Sequence, residues 1–480
     1  MKFLYIILCF FDLIYIFISF PYSKYSLIFP FETIPINELE NISIYNESYT
    51  NSILRDLYES NIFIDIKLGS PIQKIKLKIN INSDDFFIVK PDADFDRNYP
   101  KRNGSFYYNQ SLSTTFDYQI NKEDETYFSH PHLSNYVQDN FYFISSYKKE
   151  SELNIKNFQF LLAYKVRESE HGVIGLKGFC NIMKRIDFFT SLKNYNLTNN
   201  YIWYLKYEEN KKGNLVIGNY PHDDEYYIQN CNNCIFQKKH FAKIYSNITK
   251  ENWKNQWGLN FKNIYIHNKN EYEYILIDCE RCKLAEFNPN LGIIKGPKKY
   301  EEIIKESLFN KYINLKLCFT ELFTFNKDYQ ESYYYYYYCN ISLYNNLKND
   351  FNSIIFEHKL FNTNFSLDFD DLFIIENEFI FFKIIFDDYS NWIFGSPFLS
   401  KYFFVFNSDT KEIGYYSKNI VNIIKNMTKN KSYDIFILIK IIGIIVLGSI
   451  LIGIGIFIGK KLYGAKRKMR INELEENFEI

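Results

Sequence analysis

The sequence predicts a mostly-β body between residues 58 and 417, arranged as two β lobes and followed by a single membrane-spanning helix. Two observations predict the body and one predicts the helix. Short alternating or β-rich runs broken by polar turns fill the interval, among them "NIFIDIKLG", "NFYFISS", "NLVIGNYP", "FIFFKIIF" and "KYFFVFNSD", whereas segments with a 3.6-residue period are few, "NIMKRIDFFTSLKNY" being the clearest. The interval of about 360 residues exceeds one ordinary domain, hence two lobes. Near the C-terminus, Ile441 to Ile458 is an unbroken run of apolar, Gly and Ser residues.

Taken in order, residues 3–20 are apolar except for Asp12 and follow Lys2, the pattern of a signal peptide over 1–20. No A-x-A site is present there, which leaves an uncleaved anchor open. An N-terminal segment, 21–57, precedes an N-terminal lobe over 58–195 and a C-terminal lobe over 196–417. A polar linker, 418–434, leads to the span, 435–459. From Ile435 to Ile458 there are 24 residues interrupted only by Lys440, enough to cross a hydrocarbon core of about 30 Å. Lys460, Lys461, Lys466, Arg467, Lys468 and Arg470 follow it, which places the tail, 460–480, in the cytosol. The expectation is a single-pass type I protein of the secretory pathway, its body luminal or extracellular.

Lys plus Arg and Asp plus Glu both number 56, so no net field favours nucleic acid. The 43 Tyr and 47 Phe give single aromatics little weight, and the run Tyr333 to Tyr338 reads as low complexity in a loop. Outside the leader, which holds Cys9, the cysteines are Cys180, Cys231, Cys234, Cys279, Cys282, Cys318 and Cys339. An oxidising compartment favours disulfides, with one cysteine left over. "CNNC" and "CERC" also have the spacing of zinc ligands, so a shared site of Cys231, Cys234, Cys279 and Cys282 stays open. No cofactor is implied. Sequons at Asn196, Asn247, Asn340 and Asn364 are candidate glycan acceptors.

"LGSPIQKIKLKININSDDFFIV" resembles the first active-site strand of pepsin-like aspartic peptidases, roughly G-T-P-x-Q followed by hydrophobic alternation and D-T-G-S-S. Gly69, Ser70, Pro71, Gln73 and Ser83 match without a gap. "STTF" at 113–116, "HGVIGLKG" at 171–178 and "YIWYLKYEENKKGNLVIGNYP" resemble later family segments in the family's order. "NWIFGSPFLSKYFFVFNSDTKEIGYY" resembles its C-terminal motif, the most specific match. The resemblance covers essentially the whole body and implies a bilobed pepsin-like acid-protease fold with a central cleft. Some members, including protozoan ones related to plasmepsins, carry a C-terminal membrane anchor.

On this resemblance the first catalytic aspartate lands on Asn80, and the glycine after it on Asn82. Tyr127 falls where the flap tyrosine sits, with Asp139 downstream at the family's distance. In "EYILIDCERCKLAEF", Asp278 is the candidate for the second aspartate, with Cys279, Glu280, Arg281 and Cys282 in place of T-G-T-S. Cys318 and Cys339 lie where the family's C-lobe loop disulfide is found, though closer together. They are expected to pair, closing a loop worth roughly 3 kcal/mol on chain entropy. A one-motif register error would instead make Asp84 or Asp85 the acid.

The family's two aspartates share one proton and hold a water between them. Asparagine can neither accept that proton as a carboxylate nor share one with Asp278. The reading is a pseudo-peptidase, a membrane-anchored homologue holding a peptide or protein ligand in its cleft. A divergent active endopeptidase is the alternative. A redox protein using the Cys-x-x-Cys pairs lacks a thioredoxin-like βαβ context.

Overall fold

The computed structural model describes residues 26–35, 49–95, 104–125, 132–145, 152–166, 171–177, 187–208, 211–224, 236–246, 257–267, 274–276, 279–327, 330–351, 353–361, 363–388 and 391–416. The expected leader, the span over 435–459 and the tail lie outside these residues, as do Tyr127, Asp278, Cys180, Cys231 and Cys234. Among the described residues no helix is long and apolar enough to cross a membrane.

The elements that matter for the site are β1 (Leu27–Pro35), α1 (Tyr49–Tyr58), β2 (Ser60–Leu68), β3 (Gln73–Asn80), β4 (Phe86–Phe95), β5 (Val173–Gly175), β6 (Leu284–Phe287), β7 (Ile294–Pro297), β8 (Cys318–Lys327), β9 (Gln330–Asn340) and β10 (Trp392–Phe394). In β3 the alternation is strict. Ile75, Leu77 and Ile79 are buried while Lys74, Lys76 and Lys78 face outward, the period-2 pattern of a strand with one face on the core. Lys76 reaches the carboxylates of Glu32 and Asp65 on that outer face.

Thirteen strands form one sheet that contains β1 to β5. Ile202–Tyr207, Lys212–Ile217, Phe241–Tyr245, Phe404–Asn407 and Glu412–Tyr416 belong to the same sheet. The expected division at 195/196 is therefore crossed by backbone pairing. β1 pairs with Lys212–Ile217, and Phe406 lies opposite Trp203. Trp203 stacks on Phe406 at 4.2 Å and both are buried, so the last strands are welded onto the middle of the chain. A nine-stranded sheet holds β6 to β10, and a four-stranded sheet holds Asn263–His267, Tyr274–Leu276, Ser353–His358 and Thr363–Leu367.

The helical segment anticipated around 181–195 appears as Phe188–Asn194. Asp187 caps it, its side chain accepting the Thr190 N–H at 2.7 Å, which satisfies one of the helix's orphan donors.

The tyrosine run is a strand, not a loop, and the low-complexity reading is corrected here. β9 pairs along its length with β8, and Tyr334, Tyr336 and Tyr338 are buried against Leu54, Leu291, Ile293 and Phe381. Tyr337 points to the other face and stacks on Phe309 at 4.7 Å. Six identical residues carry no alternation of type, so their period is invisible in the sequence. It is imposed by β8, where Glu321 and Phe323 share the inner face. Cys318 and Cys339 lie opposite each other in this hairpin and are bonded, as the resemblance implied. Cys279 and Cys282 are also joined to each other, which removes both from the zinc set considered above.

Candidate active site

β3 runs parallel to β5 and ends at Asn80, which pairs with Gly175. The chain then turns through 81–85 and returns as β4, antiparallel to the same β5, with Phe86 opposite Ile174. The Asn80 Oδ1 accepts the Asn82 N–H at 3.0 Å, a side-chain turn that closes the loop on itself. The Asp85 carbonyl accepts the Gly175 N–H at 2.7 Å. A Cβ on Gly175 would sit 2.4 Å from the Ser83 carbonyl oxygen, so only glycine allows the loop this close. The Ser83 hydroxyl donates to Asp85 Oδ2 at 2.6 Å and accepts the Asp85 N–H at 3.0 Å. Asp85 is thus committed to Ser83 inside the loop, and Asn80 is the residue at the strand end.

A second copy of this arrangement stands in the nine-stranded sheet. β6 runs parallel to β10, and Phe287 pairs with Phe394, so Asn288 falls opposite Gly395. The return strand β7 is antiparallel to β10, with Ile294 opposite Phe394. Phe86 lies six positions after Asn80, and Ile294 six positions after Asn288. The Asn288 Oδ1 accepts the Asn290 N–H at 3.1 Å, matching the turn at Asn80. A Cβ on Gly395 would sit 2.1 Å from the Ile293 carbonyl oxygen, the counterpart of the crowding at Gly175. Asn80, Ile81 and Asn82 therefore correspond to Asn288, Pro289 and Asn290.

The two loops meet. Ile81 and Pro289 line one cavity of about 10 Å³ together with Trp203, Leu205, Tyr207 and Phe406, room for about one water but with an apolar wall. Asn290 crosses between the halves, its Nδ2 donating to the Ile79 carbonyl at 2.8 Å. Ile79 precedes Asn80, so both strand-end asparagines belong to one site.

A sequence model of the eukaryotic aspartyl protease family matches residues 61–417. The chain belongs to that family. No curated protein matches it. The match begins just after α1, so β1 and α1 precede the region it covers.

Within this aspartyl protease body, the structure unites Asn80 and Ser83 in the first loop and leaves Tyr127 and Asp278 outside the described residues. Asp139 is fully buried. It accepts from the Tyr108 hydroxyl, the Thr115 hydroxyl and the Asn140 N–H. Burial, and then the bond to that carboxylate, push the Tyr108 phenol well above its ordinary pKa. This knot braces the loop around "STTF". His171 is buried between the rings of Phe63 and Phe106, at 5.0 and 4.8 Å.

Asn288 and Asn290 were missed by sequence reasoning. The signal was present as a repeat. A hydrophobic strand ends in Asn-Ile-Asn at 80–82, and another ends in Asn-Pro-Asn at 288–290. A search for a surviving acid settles on Asp278, whereas a search for a second copy of the first loop finds Asn288.

Proposed function

We propose that the protein is a membrane-anchored aspartyl protease homologue without a catalytic dyad, acting as a peptide- or protein-binding scaffold of the secretory pathway. The observation that carries this reading is the pair of strand-end asparagines. In this reading Asn288, rather than Asp278, holds the place of the second catalytic aspartate. Its register opposite Gly395, its turn to Asn290 and its six-residue interval to the return strand support that assignment. A carboxamide offers no carboxylate to take the proton of a water, and two of them have no proton to share. General-base assistance alone is worth about 10²–10⁴ in rate. The residues after each asparagine, Ile81 and Pro289, are apolar and bury no hydroxyl at the loop contact.

The test uses purified full-length protein. Acid-dependent cleavage of peptide libraries should be absent, and a statin-type transition-state peptide should leave any residual proteolysis unchanged. Cleavage that a statin blocks overturns the reading. The anchor is tested separately. Protease added to sealed vesicles should trim only the tail beyond Lys460, and digestion of the body would reverse the topology.

A further inference from the structure

The second loop, 288–293, makes a set of bonds that its counterpart at 80–85 lacks. The Asn290 carboxamide reaches two strands of the other half at once. Its Oδ1 accepts the Ile62 N–H at 2.9 Å, in β2, and its Nδ2 donates to the Ile79 carbonyl at 2.8 Å, in β3. The Asn290 carbonyl also accepts the Ser60 N–H at 3.1 Å, and the Gly292 N–H donates to the Leu57 carbonyl at 2.7 Å. A Cβ on Gly292 would lie 2.7 Å from that carbonyl oxygen, so glycine is required here by the segment lying against it.

That segment is α1 and the residues joining it to β2. α1 puts its buried Leu54 in one cluster with Leu291 and Ile293 of the second loop and with Phe323 and Ile385 of the nine-stranded sheet. The Thr50 hydroxyl donates to Glu321 at 3.3 Å, the Tyr336 hydroxyl lies 3.1 Å from Asn51 Oδ1, and the Tyr58 and Tyr334 hydroxyls are 2.9 Å apart. The chain thus enters the N-terminal strands from a helix docked on the opposite sheet.

We infer that α1 and Asn290 form a built-in fastener that fixes the N-terminal strands β2 and β3 to the second loop, 288–293, and the nine-stranded sheet behind it. Asn82 supplies the internal control. It occupies the corresponding place in the first loop, yet its Oδ1 is buried and accepts no hydrogen bond among the described residues. An asparagine in this loop does not cross-link by default, so the crossing at Asn290 comes from what faces it. The fastener also takes the backbone groups of Asn290 and Gly292, so a ligand strand cannot add along that edge without displacing the protein's own segment. The inference is independent of whether the site is catalytic.

The experiment is hydrogen exchange on the full-length protein, comparing Asn290→Gly with Asn82→Gly. Asn290→Gly should speed exchange of the amides of Ser60 and Ile62, and of peptides spanning 57–64, by tenfold or more. Asn82→Gly should leave them within about twofold, a change smaller than the loss of one ordinary hydrogen bond. Equal effects from the two substitutions overturn the fastener. If Asn290→Gly does not fold, Asn290→Asp keeps the acceptor for Ile62 but replaces the donor to Ile79 with an acceptor oxygen, and should still raise exchange of the 57–64 peptides above Asn82→Asp. A cycle of Leu54→Ala with Asn290→Gly reads the helix and the side chain together. Unfolding shifts that add independently would show that they are not one device.

Discussion

The loops at 80–85 and 288–293 have the same backbone and different surroundings. Each follows a strand parallel to a short partner, each turns on an asparagine that accepts the N–H two residues on, and each crowds against a glycine of that partner. In the first loop the side chain of Ser83 turns inward and holds Asp85. The second loop bonds to the other half of the molecule through Asn290 and Gly292. Equivalence of position thus does not give equivalence of role. The protein retains the symmetric scaffold of its family and uses one side of it as a joint.

The largest effect should come from removing the feature the loops share. Restoring Asp-Thr-Gly at 80–82 and at 288–290 together should give measurable acid-optimum cleavage. Asn80→Asp alone and Asn288→Asp alone should each stay at background, at least about 10²-fold below the combined variant. Activity from Asn80→Asp alone would return the second role to an acid elsewhere, Asp278 first. A fluorogenic peptide assay across pH 3–7 reads this.

Next comes the apolar side of the joint. Leu54 is fully buried between α1 and the nine-stranded sheet, so Leu54→Ala should cost about 2–5 kcal/mol in urea unfolding. A cost under about 1 kcal/mol would mean that α1 is a decoration on the sheet.

Acid should act first where histidine is buried, away from both loops. His358, in Ser353–His358, accepts the Phe361 N–H on its Nδ1 at 3.1 Å, and burial lowers its pKa to about 4. His222, within hydrogen-bond distance of the Tyr416 hydroxyl, is lowered to about 4, chiefly by burial and against the pull of Asp223. The unfolded chain takes up these protons first, so their stabilisation is complete above about pH 6.5 and is lost as pH falls towards about 4. It amounts to on the order of 3 kcal/mol for each histidine. Exchange of 353–358, which holds His358, and of 412–416, which holds the Tyr416 beside His222, should therefore accelerate over that window before exchange of 75–80 does, and His358→Leu should flatten the slope at 353–358. A flat profile in the unsubstituted protein would place both rings in water.

The smallest contrast is the sharpest. Asn290→Ala strands the Ile62 N–H and the Ile79 carbonyl, and should cost about 2 kcal/mol. Asn82→Ala removes a buried oxygen with no partner, and should fall within about 0.5 kcal/mol of neutral. Thermal unfolding of the pair measures the difference.

The sequence was legible where its own residues carried the pattern. Alternation in Ile75, Leu77 and Ile79 marks a strand whatever surrounds it, because side chains on a pleated strand change face at every residue. The gap-free run from Gly69 to Ser83 likewise located the first loop. The pairing of Cys318 with Cys339 followed from the resemblance, and a bond opposite itself in a hairpin needed no distant partner. These are local constraints, imposed over a few residues of chain. Two strands were hidden for the opposite reason. Tyr333 to Tyr338 gained its period only by pairing with β8, and Asn288 gained its meaning only from lying opposite Gly395 in a parallel pair more than a hundred residues apart in the chain.

By itself the sequence determined the family, the mostly-β body and the place of Asn80 at the end of the first loop's strand, because composition, alternation and motif spacing are properties of contiguous residues. Only the tertiary structure decided that a second strand-end asparagine turns an equivalent loop, that Asn290 bonds across the halves while the Asn82 Oδ1 has no hydrogen bond among the described residues, and that α1 packs on the nine-stranded sheet rather than on the one its chain enters next. Those facts depend on which backbone groups a side chain finds within 3 Å after folding. Identical residues in matching turns differ there because the carboxamide of Asn290 meets two backbone partners and the buried Oδ1 of Asn82 meets none among the described residues.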